Sequence, residues 1–147
     1  MKKALYQFCQ GYINSRINRI QGQIAEVILS LTSESKSTAG DKHETGRAML
    51  QLEREKLGQQ LLEAEKMQQL LHKVPLKSNA EKVSLGTLVI TDKTSYYIAI
   101  SAGKFEEEEV IIFCISPNAP IAKVLLGKSV NETVNFNGIA SKIMEIK

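Results

Sequence analysis

Apolar side chains at Ile13, Ile17, Ile20, Ile24, Val27 and Leu31 recur at alternating spacings of four and three. That rhythm keeps one stripe along one side of an α-helix and suits a seam against a second helix. The residues between them, among them Asn14, Arg16, Arg19, Gln23 and Glu26, form the wet faces. A second run, Leu50, Leu57, Leu61, Ala64 and Leu71, has compatible spacings, with Arg54 and Gln68 interrupting its seam. It is rich in Glu, Gln, Lys and Leu, all good helix formers, and no proline occurs before Pro75. Between the runs lies the polar, turn-prone stretch Thr32-Ser33-Glu34-Ser35-Lys36-Ser37-Thr38-Ala39-Gly40-Asp41. The pattern predicts an antiparallel coiled-coil hairpin over 1–73 with its tip at about 33–45. Each helix would be roughly 25 to 30 residues, or about 40 Å at 1.5 Å per residue.

After Pro75 the rhythm shortens to period two. A linker over 74–84 leads into a second domain over 85–147. Thr87 to Thr91 and Tyr96 to Ser101 read as two strands around the turn Asp92-Lys93-Thr94-Ser95. Val110 to Ile115 reads as a buried strand. Glu132 to Phe136 and Ile139 to Ile146 flank Asn137-Gly138, the signature of a tight hairpin turn. Pro120 to Leu126 suits a short helix with proline in its first turn, ended by Gly127. The fold class is therefore α+β: a helical hairpin followed by a small antiparallel sheet with one short helix.

Composition narrows the function. The 147 residues hold one ordinary domain or two very small ones, at 43% hydrophobic and 24% charged, as in a soluble folded protein. Nineteen Lys and Arg against sixteen Asp and Glu leave a net charge of +3, too slight to announce a nucleic-acid binder. Aromatics at 5% and no tryptophan argue against a base-stacking platform. The longest apolar run, Val110 to Ile115, is far short of a membrane span, and Met1-Lys2-Lys3 leads into polar residues unlike a secretory signal. A cytoplasmic protein is expected. Cys9 and Cys114 lie far apart among apolar neighbours and read as two reduced, packed thiols; with only His43 and His72 besides, no metal-ligand spacing arises.

Three segments invite chemistry. Ala122-Lys123-Val124-Leu125-Leu126-Gly127-Lys128-Ser129 fits a loose phosphate-loop spelling, but its middle wants to be helical and buried and a strand follows it. Glu106-Glu107-Glu108-Glu109 reads as a solvated loop or strand start, because four consecutive carboxylates cannot converge on one ion. Gly40-Asp41-Lys42-His43-Glu44 is the most informative. Two carboxylates three residues apart at the end of a long rod can co-ligate a hard cation such as Mg²⁺ or hold a water for attack. Asp-x-x-Glu is also a helix capping box, in which Asp41 and Glu44 bond each other's amides. The two roles are compatible. Lys36, Lys42, Arg47, Arg54 and Lys56 flank the turn as a basic docking stripe or as ordinary salt-bridged surface with Glu34, Glu53 and Glu55.

The whole chain resembles the bacterial Gre transcript-cleavage factors. Ile115-Ser116-Pro117-Asn118-Ala119-Pro120-Ile121-Ala122-Lys123-Val124-Leu125-Leu126-Gly127-Lys128 looks like that family's Ser-Pro and Ala-Leu-Leu-Gly-Lys signature. Val83-Ser84-Leu85-Gly86-Thr87-Leu88-Val89 resembles its lead-in to the C-terminal domain. The family's tip pattern, Gly-Asp-x-x-Glu-Asn-Ala-Glu-Tyr, is matched at Gly40, Asp41 and Glu44, whereas the residues from Thr45, Gly46 and Arg47 on to Met49 do not continue it. The resemblance implies an FKBP-like C-terminal domain and RNA polymerase as partner, with the hairpin inserted into the secondary channel. It implies that Asp41 and Glu44 act there as catalytic carboxylates, sharing a Mg²⁺ with the polymerase to cut backtracked transcripts. It further implies docking through Lys36, Lys42, Arg47, Ser116 and Pro117, indirect contact with the nascent RNA 3′ end, and association with DNA in the transcription complex. By itself the chain would be a monomer and no enzyme, stimulating the polymerase's own endonuclease. A non-cleaving channel regulator and a coiled-coil interaction module are the competing expectations.

Overall fold

The structure, a computed structural model, describes residues 1–36, 40–77 and 80–147, with side chains throughout these except at 35, 36 and 40–43. Two long helices, α1 (Lys2–Lys36) and α2 (Gly40–Lys73), precede strands β1 (Leu88–Thr91), β2 (Ser95–Ile98), β3 (Gly103–Glu107) and β4 (Val110–Ile115). A short helix α3 (Pro120–Leu125) and strands β5 (Thr133–Phe136) and β6 (Ile139–Ile146) complete the chain. The expected α+β architecture is present. Among the described residues no helix is long and apolar enough to cross a membrane.

The chain divides into two compact units, residues 13–68 and residues 1–12 with 69–147. In the first, Ile13, Ile17, Ile20 and Val27 of α1 are buried together with Leu57 and Ala64 of α2, as the heptad rhythm requires. The pairing is antiparallel. Arg16 donates to the Met67 sulfur at 3.2 Å, the Gln68 amide donates to Asn14 Oδ1 at 3.1 Å, and far along α1 Glu34 stands beside Gly46. Gln68, which interrupts the apolar seam, thus finds a polar partner across it. The helices are 35 and 34 residues long, longer than the heptads alone suggested. The extra length of α1 lies before Ile13, where Leu5 and Cys9 continue the spacing of four and are fully buried. Lys73 ends α2 with positive charge against its carbonyl dipole, and Pro75 follows.

In the second unit the strands form one sheet in the order β3-β4-β2-β1-β6-β5. All neighbours run antiparallel except β2 and β4, so the sheet is mixed where the sequence suggested a purely antiparallel one. The cause is β3, an edge strand of which the sequence shows only Glu106 and Glu107, as part of a solvated loop or strand start. It carries the chain back along the outside, so that β4 returns between β3 and β2 and lies parallel to β2. Glu106 and Glu107 belong to β3, and Glu108, at φ 54°, turns the chain with Glu109 into β4. The four glutamates are exposed, as expected, and Glu106 pairs with Lys104 at 3.2 Å.

One face of the sheet packs on α3 through Val83, Val89, Ile98, Ala122, Leu125, Val134 and Ile143. The other carries Phe105, Ile112 and Cys114, against which the first turns of α1 lie. Phe8 meets Phe105 edge-on with ring centroids 5.4 Å apart. The strand β4 is therefore only half-buried. Ile112 and Cys114 point into the core, whereas Val110, Ile111 and Phe113 are exposed. Asn137 and Gly138 both take positive φ, as the turn they spell requires.

Candidate functional site at the hairpin turn

Gly40 opens α2, so Asp41 and Glu44 fall in its first turns, three residues apart on one helical face. Glu44 is exposed. The side chains of Asp41, Lys36 and Lys42 lie outside the described residues, and so does the reciprocal cap between Asp41 and Glu44. Arg47 is exposed one turn after Glu44. With Arg54, Gln51 and Glu55 of α2 and Ile28, Leu31 and Thr32 of α1 it lines an open groove of about 590 Å³. Arg54 breaks the apolar seam at this groove, which explains why burial along α1 weakens from Ile20 to Val27 and Leu31.

The remaining docking candidates, Ser116 and Pro117, lie in the β4–α3 loop and are half-buried. Ser116 Oγ accepts from the Asn118 amide at 3.1 Å and its carbonyl accepts from the Ala119 amide at 3.0 Å. Their local role is to shape the turn that delivers Pro120 into α3, which has no side-chain cap of its own.

The phosphate-loop spelling is spent on structure. The Gly127 amide donates to Val83 O at 2.9 Å, the Lys128 amide to Leu125 O at 3.1 Å, and the Ser129 amide to Glu132 Oε2 at 2.5 Å. Amides already bonded to protein cannot cradle a phosphate, and both Ala122, where the spelling asks for its first glycine, and Leu125 of the variable part are buried.

Among the described residues no group of three or more His, Cys, Asp or Glu side chains converges on one point. A hard cation held by Asp41 and Glu44 alone would have two carboxylates. Mg²⁺ prefers six oxygen ligands. Such a donor pair would therefore need further oxygen ligands from elsewhere to complete a Mg²⁺ shell.

Two features escaped the sequence reading. One is the approach of Gly46 to Glu34, where a Cβ would stand 3.4 Å from a carboxylate oxygen. That oxygen ends a flexible side chain and can move a few tenths of an ångström. Gly46→Ala is therefore expected to stabilise the hairpin by about 0.5–1 kcal/mol, the usual gain on removing glycine from a helix interior. Urea unfolding checks this, and a loss of stability would mean that Glu34 is held rigidly. The other is the meeting of the two cysteines, taken up below.

No protein-family model and no curated protein matches the chain. Among solved structures it is similar to one described as the structure of the transcription factor Gfh1. That likeness covers 91% of this chain and 90% of the other, at 16% identity and a TM-score of 0.36.

Proposed function

We propose that this chain is a Gre-like elongation factor that binds RNA polymerase and offers Asp41 and Glu44 to the polymerase's catalytic centre, stimulating cleavage of backtracked transcripts. The observation that carries the reading is the place of Gly40-Asp41-x-x-Glu44 at the start of α2, where a long helical hairpin turns, with Glu44 exposed. The segment 13–36 of α1 alone is about 36 Å long at 1.5 Å per residue, enough to carry a carboxylate down a narrow channel. The Gre-like signature from Ser116 to Lys128, which builds the β4–α3 loop and α3, supports the same reading.

In this reading the metal supplies Lewis acidity and a water of lowered pKa. The chain's own part is positional. Asp41 and Glu44, spaced by about one helical turn, would supply oxygen ligands and would accept a hydrogen bond from an attacking water. A rigid helix keeps that spacing, and a hairpin with buried Ile17 and Ile20 behind it resists bending. Arg47 and Ser116-Pro117 would then act in docking, as would Lys36 and Lys42.

A second reading, a channel-occupying regulator that does not cut, is favoured by the residues after Glu44. Thr45, Gly46 and Arg47 differ from the pattern the cleavage factors share, and an exposed Ala48 stands where that pattern has tyrosine. Transcript shortening in stalled, backtracked complexes made with polymerase from the same source separates the two. Rapid Mg²⁺-dependent shortening on adding the protein supports cleavage. Binding without shortening leaves the regulator. No binding removes the polymerase reading and leaves the hairpin as an interaction module.

A further inference from the structure

Cys9 on α1 and Cys114 on β4 stand 105 positions apart in the chain (114 − 9) and belong to the same compact unit. Both are free thiols, and at 0% and 2% exposure they are sealed from solvent. They are neighbours: each is the first influence on the other's acidity, and Cys9 also feels the backbone of Ile100.

Two further observations fix the approach of helix to strand at this point. Phe8 packs edge-on against Phe105, and Phe105 pairs with Ile112 two residues before Cys114. On β3 the residue opposite Cys114 is Gly103, so that flank carries no side chain to separate the sulfurs. A disulfide asks for Cβ atoms about 3.5–4.5 Å apart and sulfurs at about 2.05 Å. Neighbouring thiols on a helix and a strand packed this way can approach that geometry by rotation of the two side chains.

We propose that Cys9 and Cys114 are a modification site, closing to an intramolecular disulfide that fastens the first turns of α1 to β4 when a low-molecular-weight disulfide oxidises the chain. The proposal does not depend on the polymerase reading. Cys9 is the attacking group. Cys114 beside it holds its thiol below the ordinary range, while the same neighbourhood and burial push Cys114 up. The Cys9 thiolate attacks one sulfur of the small disulfide, a mixed disulfide forms, and one small thiolate leaves. That thiolate takes the Cys114 proton. The Cys114 thiolate then attacks Cys9 Sγ, the protein disulfide forms, and the second small thiolate leaves with the proton first lost by Cys9. Two protein thiols and one small disulfide thus become one protein disulfide and two small thiols. Access comes through local opening of the helix end, since Cys9 is only two turns from the start of α1.

The test is equilibration of the full chain with excess oxidised glutathione, followed by denaturing alkylation, intact mass and non-reducing peptide mapping. The expected product is a monomer lighter by two hydrogens, with no alkylated cysteine, a Cys9–Cys114 linked peptide, and reversal by dithiothreitol. Its thermal midpoint should rise by about 5 °C or more, because the bond closes a long loop in the unfolded chain. Cys9→Ser and Cys114→Ser should each give only the single glutathione adduct and no rise. The reaction is repeated in urea below the unfolding transition, so that burial cannot hide the outcome. Two free thiols there, two separate glutathione adducts, dimers linked between chains, or a fall in the midpoint would each overturn the proposal.

Discussion

Replacing both carboxylates at the hairpin turn, Asp41→Asn with Glu44→Gln, is expected to lower stimulated transcript cleavage by at least about 100-fold while leaving polymerase binding within a few-fold. Removing even a supporting partner of a metal ligand costs about 10–100-fold in affinity or activity, and here both direct ligands from this chain would be lost. The amides keep the size and helical fit of the acids, and Glu44 is exposed, so folding gives no competing explanation. The single variants divide the roles further. If the two residues share one cation, either change alone should remove most of the effect, and raising Mg²⁺ should restore part of it. If Asp41 only caps α2, Asp41→Asn should be nearly silent, because asparagine caps as well as aspartate. In that case Glu44→Gln would carry the whole loss. Equal cleavage by the wild type and the double variant would sink the carboxylate mechanism even with the polymerase bound.

Much of this organisation is legible from local sequence. The seam from Ile13 to Leu31 is a repeat within one helix, and burial at Ile13, Ile17 and Ile20 follows it directly. Asn137-Gly138 is equally local, because its positive φ values suit few other dipeptides. The strand β3 left little trace. Of Gly103-Lys104-Phe105-Glu106-Glu107 only Phe105 is buried. An edge strand carrying charges avoids unwanted pairing by looking like a loop. The parallel partnership of β2 and β4 depends on β3 and was lost with it. The contact of Cys9 with Cys114 joins a helix to a strand across most of the chain, and no periodicity encodes it. At the hairpin turn the spacing of Asp41 and Glu44 is plain in the sequence. What it does there depends on a partner's surface, which no local pattern contains.

Gly86→Ala is expected to cost about 3 kcal/mol or more, the largest loss from a single methyl group anywhere in the sheet-bearing unit. Gly86 is the third residue of a turn from Ser84 to Thr87, closed by the Thr87 amide on Ser84 O at 3.1 Å. The turn is locked by Thr87 Oγ1, which donates to the same carbonyl at 2.7 Å and accepts from the Ser84 amide at 3.1 Å. Thr87 is fully buried, so these bonds cannot be exchanged for water. Gly86 takes φ +88°, and its amide donates to Ile98 O at 2.7 Å. Both hold the turn against β2. A Cβ at this position would stand 2.9 Å from Pro75 Cδ and 2.9 Å from Pro75 O. The ring and carbonyl of a proline just past α2 cannot swing aside as a long side chain can. Alanine therefore meets two separate penalties, a backbone conformation that L-residues avoid and a clash with rigid atoms, each about 1–3 kcal/mol. Gly127 separates them. It has φ +82° with nothing within 4 Å of the added carbon, so Gly127→Ala should lose only the conformational share, about 1 kcal/mol. Urea unfolding of the two variants gives the difference directly. Equal losses would mean that Pro75 yields at no cost, and that the tight approach of Gly86 to the end of α2 is not what makes glycine necessary there.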